Sequence, residues 1–168
     1  MYKVKVRFKN HSPEKILLGF TFICVGILAT AYIMEHFFGV LPCQMCLYER
    51  DIFMVVGAFS FISFFLIPAR YHSLALIVLG FVFMGGALFA GYHVAIQQHW
   101  VDLPAFCASN EFGGLDSVES LREQMLKTPL VRCDHVTWSL FGLSLAAYNA
   151  ALSFIFAITC WVWVARKK

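Results

Sequence analysis

Residues 74–96 read LALIVLGFVFMGGALFAGYHVAI, without one Asp, Glu, Lys or Arg. About 20 residues rising ~1.5 Å each cross the hydrocarbon core of a bilayer as a helix, and this stretch meets that length. Working outward, three more runs lack acidic and basic side chains: Ile16–Met34, Ile52–Ala69 and Leu140–Ala165. Their Phe, Val and Ile carry strand propensity in water. In lipid, however, every backbone N–H and C=O must be bonded within its own segment, which selects helices. The chain is 60% hydrophobic and 14% charged, against about a quarter charged in soluble domains. The reading is therefore an all-α membrane protein: one integral membrane domain over residues 1–168, built as a four-transmembrane-helix bundle. Its predicted spans are about 16–34, 50–69, 74–96 and 143–164, with loops at about 35–49 and 97–142.

Charge predicts the orientation. Lys3, Lys5, Arg7, Lys9 and Lys15 precede the first span, Arg70 lies between the second and third, and Arg166, Lys167 and Lys168 end the chain. With four spans these segments share one side, which the excess of Lys and Arg makes cytoplasmic, both termini included. The longer loop on the other side carries Asp102, Glu111, Asp116, Glu119, Glu123 and Asp134 against Arg122, Lys127 and Arg132. The net charge of +3 thus follows topology and predicts no nucleic-acid partner. The lysines, the first apolar run and Ala29-Thr30-Ala31 resemble a signal peptide, but the run continues to Met34 and is read as a span.

Six cysteines are present. Cys24 and Cys160 fall inside spans and read as small apolar packing groups. Cys43, Cys46, Cys107 and Cys133 fall on the outer side, where disulfides persist. Four cysteines permit three pairings, of which adjacency favours Cys43 with Cys46 and Cys107 with Cys133. A pair two residues apart closes a tight ring that is comparatively easy to reduce. Pro42 suits the first turn of a helix, so the second helix should begin near Pro42–Cys43 with both thiols at its positive end, which favours thiolate. Arg50 lies four residues beyond Cys46 and seven beyond Cys43, on the same face. Within the long loop, Gly113-Gly114 and Asp116-Ser117-Val118-Glu119 begin, and Thr128-Pro129 ends, a short amphipathic helix expected over about Ser117–Lys127.

Taken together, Pro42-Cys43-x-x-Cys46-x-x-x-Arg50 ahead of the second span, two further cysteines in the second outer loop, and both ends inside resemble the DsbB family. That family comprises the disulfide bond formation proteins of bacterial inner membranes. His36, the run His93-Val94-Ala95-Ile96-Gln97, and Cys133-x₄-Trp138-Ser139-Leu140-Phe141-Gly142-Leu143 match as well. The resemblance implies a thiol:quinone oxidoreductase in the inner membrane with its active cysteines on the periplasmic side. A reduced DsbA-like periplasmic dithiol oxidase would attack Cys107, the freed Cys133 would exchange with Cys43, and Cys46 would face ubiquinone or menaquinone. Arg50 would stabilise the Cys46 thiolate and the quinone, with His93 as a further quinone-contact candidate. His36, Glu35, His99 and Asn149 are weaker candidates, and Glu49 is equally a salt-bridge partner for Arg50. No resident metal is expected. The alternative is a metal-binding four-helix membrane protein using the four outer thiols as ligands, although zinc ribbons carry two short Cys-x₂-Cys knuckles and here there is one. A vitamin K epoxide reductase-like chain would place its quinone-facing pair after the loop pair, the reverse of the order here.

Overall fold

The computed structural model describes residues 13–104, 107 and 131–167. Four long helices dominate them: α1 (Pro13–Phe38), α2 (Gln44–Leu66), α3 (His72–Gln97) and α4 (Leu145–Lys167). The expected amphipathic helix over Ser117–Lys127 lies outside the described residues.

Helix ends follow local chemistry. α1 opens on Pro13, whose missing N–H costs nothing in a first turn, and after Phe38 the chain turns at Gly39, φ 65°. The N–H of Val40 then donates back to the Met34 carbonyl at 3.1 Å. Cys43 caps α2 in an extended conformation, its sulfur accepting the Cys46 N–H. At the other end Ile67 precedes Pro68, whose ring disfavours helical backbone in the residue before it, and Ile67 is extended, φ −92° and ψ 129°. A single 3-10 turn, Ala69–Tyr71, leads into α3.

The apolar run before the fourth helix is not all helix. Ser139–Leu140 (β1) pairs antiparallel with Leu143–Ser144 (β2), joined by Phe141 and Gly142 at φ 50° and 79°. Two successive positive φ values define a tight primed hairpin turn. Ser144 then caps α4, accepting the Ala147 N–H at 3.3 Å. The expected span from residue 143 thus begins as strand, and its helix begins at Leu145. Hydropathy cannot separate the two, because hairpin and helix are both apolar here.

α3 packs most extensively on α4 and α1 on α2, while α2 against α3 joins the two pairs. Small residues set the approach. A Cβ on Gly80 would lie 2.3 Å from Trp161 Nε1, and one on Gly57 3.1 Å from Cys24 Cβ. Phe20, Phe83 and Phe156 interlock with centroids 5.3–5.7 Å apart in the core of the bundle. The outward side chains are large and apolar, including Phe22, Phe65, Phe81 and Leu88, as a lipid-facing surface requires. α1, the stretch Ala69–Gln97 and Leu145–Arg166 are each long and apolar enough to cross a membrane. α2 differs in carrying Glu49, Arg50 and Asp51 in its first turns.

Candidate functional site

The site grows from the N-terminus of α2. Cys43 Sγ lies 3.2 Å from Cys46 Sγ, both as free thiols, and accepts the Cys46 N–H at 3.4 Å. Thiol donation from Cys46 is the main force drawing the Cys43 pKa down, to about 4, with His93 adding and burial opposing. The Cys46 thiol moves the opposite way, well above the ordinary thiol range, since it holds the proton the pair shares and is itself buried. The reduced pair is therefore a thiolate at Cys43 bonded to a thiol at Cys46.

Behind Cys43 runs a buried polar chain across three helices. His93 of α3, fully buried, places Nε2 3.5 Å from Cys43 Sγ and Nδ1 2.8 Å from Glu49 Oε1 of α2. Glu49 Oε2 accepts from Asn149 Nδ2 of α4 at 2.5 Å, and Asn149 Oδ1 accepts from Ser153 Oγ at 3.3 Å. A carboxylate only 7% exposed is tolerated because each oxygen is bonded. With Nδ1–H given to Glu49, His93 keeps Nε2 for the sulfur.

Arg50 points elsewhere. Neighbours on a helix diverge by ~100°, so while Glu49 turns towards α3 and α4, Arg50 turns to α1. There it pairs with the Glu35 carboxylate, and its guanidinium sits 5.3 Å from the Tyr32 ring centroid. The Arg50–Glu49 pairing expected from adjacency is not formed in the described structure; each side chain has a different partner.

Cys107 and Cys133 form a disulfide, Cα–Cα 5.9 Å. Both join Cys43, Met45 and Ile96 in one buried cluster, with Cys46 and Leu103 at its margin. Two of the four outer thiols are thus already bonded to each other, so the four-thiolate ligand set of the metal-binding alternative is not assembled.

On the opposite side of the pair, a cavity of about 520 Å³ opens between α1, α2 and α4. Ile27, Ala31 and Met34 of α1, Phe53 of α2 and Leu152 of α4 give it apolar walls. Cys46, Glu49, Arg50, Tyr148 and Asn149 bring polar atoms to one region, while Cys43 and His93 are not part of the wall. The two sulfurs thus have different outlooks, Cys43 towards the loop disulfide and His93, Cys46 towards the cavity.

The predicted residues Cys43, Cys46, Cys107, Cys133, Arg50 and His93 all gather at this end of the bundle. His36 instead bonds the Tyr32 carbonyl one turn back, at 3.0 Å, and His99 is exposed at a chain reversal, φ 57°. Sequence reasoning named Glu35, Glu49 and Asn149 but underrated all three, and it did not pair Glu35 with Arg50. An acid or an amide within an otherwise apolar helix is itself a signal, because such groups need a partner in a membrane.

A profile of the family described as "Disulfide bond formation protein DsbB" matches residues 13–163. Among similar proteins is a "Disulfide bond formation protein B" of Aromatoleum aromaticum, 26% identical over 166 residues, covering 94% of this chain and 95% of that one. Another, from Marinobacter nauticus, is 33% identical over 147 residues, 80% and 82% of the two chains. A "Disulfide bond formation protein B 2" of Pseudomonas savastanoi is 26% identical over 132 residues, 75% and 73%.

Proposed function

This chain belongs to the DsbB family, a family of disulfide-generating membrane oxidoreductases, and from that premise we propose that it oxidises a periplasmic DsbA-like dithiol protein and delivers the electrons to a membrane quinone. The observation that carries the proposal is the division between the sulfurs: Cys43 is buried in the cluster with Cys107 and Cys133, whereas Cys46, at the margin of that cluster, also lines the cavity.

The exchange runs in balanced steps. A thiolate of the reduced partner attacks Cys107, forming a mixed disulfide and releasing Cys133 as thiolate; the partner's second thiol then displaces Cys107, so the partner leaves oxidised. Cys133 attacks Cys43 of the oxidised short pair, releasing Cys46, and Cys107 displaces Cys43 to restore the loop disulfide. These steps leave the loop pair bonded and the short pair reduced, and a bonded Cys107–Cys133 beside free Cys43 and Cys46 supports that order. Exchange needs a thiolate nucleophile and a good leaving group, and in the second displacement, where Cys107 expels it, Cys43 supplies the latter through its low pKa. When bound, a quinone supplies the acceptor for two electrons and two protons, leaving Cys43–Cys46 as a disulfide. The cavity suits such a ring: it has apolar walls, adequate size, and both Cys46 and Arg50 in its lining. Arg50 offers cationic donors to an oxygen that gains charge, while Glu35 and Tyr32 hold it in place. His93 takes the Cys43 proton and Glu49 orients its ring, so both act on the thiol from behind the cavity.

In this reading α2 is the fourth span, its charged first turns at headgroup level, and the thiol end faces the periplasm from the bacterial inner membrane, both termini cytoplasmic. Ubiquinone and menaquinone both satisfy the cavity chemistry. Anaerobic mixing with a reduced DsbA-like partner and a soluble quinone, followed by quinone absorbance and thiol trapping, tests the route. Quinone reduction should vanish in Cys46→Ser; its persistence there would defeat the reading.

A further inference from the structure

We propose that the reduced thiol pair and His93 form a three-ligand site for a thiophilic divalent cation of the zinc class, and that the cation arrests the enzyme in its reduced state. Cys43 Sγ, Cys46 Sγ and one ring nitrogen of His93 all lie within 4.8 Å of one another. A tetrahedral zinc has ligands at ~2.3 Å for sulfur and ~2.0–2.1 Å for nitrogen. That geometry separates sulfur from nitrogen by about 3.6 Å and sulfur from sulfur by about 3.8 Å. The observed 3.5 Å from Cys43 Sγ to His93 Nε2 already fits, and the 3.2 Å between sulfurs has to widen slightly.

The surroundings are those of a metal-binding histidine. Such a ring gives its second nitrogen to a carboxylate, which fixes the tautomer and raises its basicity. Here Glu49 receives Nδ1–H and is itself fixed by Asn149, so once the proton shared with Cys43 leaves, Nε2 turns its lone pair to the cation. Gln97 supplies a fourth group. Its Nε2 is 3.4 Å from His93 Nε2, while its Oε1 is buried without a hydrogen-bond partner among the described residues. Turning that amide over offers the oxygen to the cation. Binding releases two protons, the one on Cys46 and the one Cys43 shares with His93, and leaves both sulfurs as metal thiolates. In the oxidised protein the sulfurs are bonded to each other and the site is gone.

The test uses the full chain in detergent under anaerobic conditions, with Zn²⁺ competed against a chromophoric chelator and Co²⁺ as a spectroscopic probe. Reduced protein should bind one zinc, oxidised protein none, and a chelator should restore turnover. Cys46→Ser and His93→Ala should each abolish binding, and Glu49→Gln should weaken it about 10–100-fold, as loss of an outer carboxylate does. Zinc held at Cys24 or Cys160 would survive these changes. Unchanged affinity in His93→Ala, equal binding by oxidised protein, or no binding at all would overturn the site. Should His93→Ala not fold, wild-type Co²⁺ decides: a tetrahedral spectrum with thiolate charge transfer supports the site, an octahedral spectrum without it refutes it. Apart from the turnover readout, the arms measure metal binding alone and use neither quinone nor partner protein, so failure of the site is separable from failure of the proposed function.

Discussion

Glu49 Oε1 stands 2.8 Å from His93 Nδ1, tying α2 to α3 with both groups buried. The bond aims the other ring nitrogen at Cys43, so a carboxylate that never touches the reacting sulfur governs its partner. The low Cys43 pKa rests first on the Cys46 thiol and then on His93. In wild type, alkylation of Cys43 should follow an inflection near pH 4. Cys46→Ala should raise that inflection most, His93→Ala by about 1–3 units, and Glu49→Gln least. The linkage has a definite sign. A thiol lowered from about 9 to about 4 stabilises the reduced fold fully above pH 9, and this stabilisation is lost as pH falls through 4. Melting of the reduced protein against pH, compared with His93→Ala, checks it.

Arg50 shares the cavity wall with Cys46 and takes no part in the buried chain behind Cys43. Removing it should therefore separate the two half-reactions. Arg50→Ala should raise the quinone KM about 10–100-fold, the equivalent of a charge-assisted hydrogen bond at ~1.5–3 kcal/mol. Disulfide exchange between the partner and the loop cysteines should be unchanged in a quinone-free, single-turnover trap. Glu35→Gln should show the same pattern at smaller size, because it acts by holding Arg50.

Filling the cavity without touching a thiol tests its occupant. Gly26 lines the wall, and a Cβ there meets nothing within 4 Å, so Gly26→Leu should fold normally. Its quinone KM should rise about tenfold, a loss of ~1.4 kcal/mol, with Cys43 alkylation unaltered. An unaltered KM would place the quinone elsewhere.

The α3–α4 contact depends on Gly80. Gly80→Val would drive a side chain into the Trp161 indole and should destabilise the protein by about 1–3 kcal/mol, as overpacking does. Gly85→Val, where a Cβ meets nothing within 4 Å, is the matched control. Thermal unfolding in detergent should lower the Tm of the first and leave that of the second nearly unchanged.

How much of this was legible beforehand depended on sequence distance. The α2 start could be read from Pro42, because it rests on local geometry, and Cys107–Cys133 was what remained once adjacency set Cys43 beside Cys46, a pair that the structure holds close but unbonded. Three long helices followed from hydropathy alone. The hairpin at Ser139–Ser144 did not, since an apolar hairpin running into an apolar helix leaves no contrast in hydropathy, and Phe141-Gly142 was a faint turn signal. The pairings Glu49–His93 and Glu49–Asn149 span separations of 44 and 100 residues. No periodicity encodes such pairs; they exist once three helices fix their rotations. Arg50 illustrates the same limit, its adjacent acids being passed over for Glu35 on another helix.

The gap between α1 and α4 carries a last consequence. Those helices meet through Phe20 and Phe156, and nearer the thiols the cavity lies between them. Under the proposed function, traffic through that gap is lateral, between protein and bilayer, and never passes through water. Turnover would then scale with quinone per unit area of membrane and with lipid fluidity. Cooling or stiffening the bilayer would slow disulfide supply to exported proteins even when partner and enzyme are abundant.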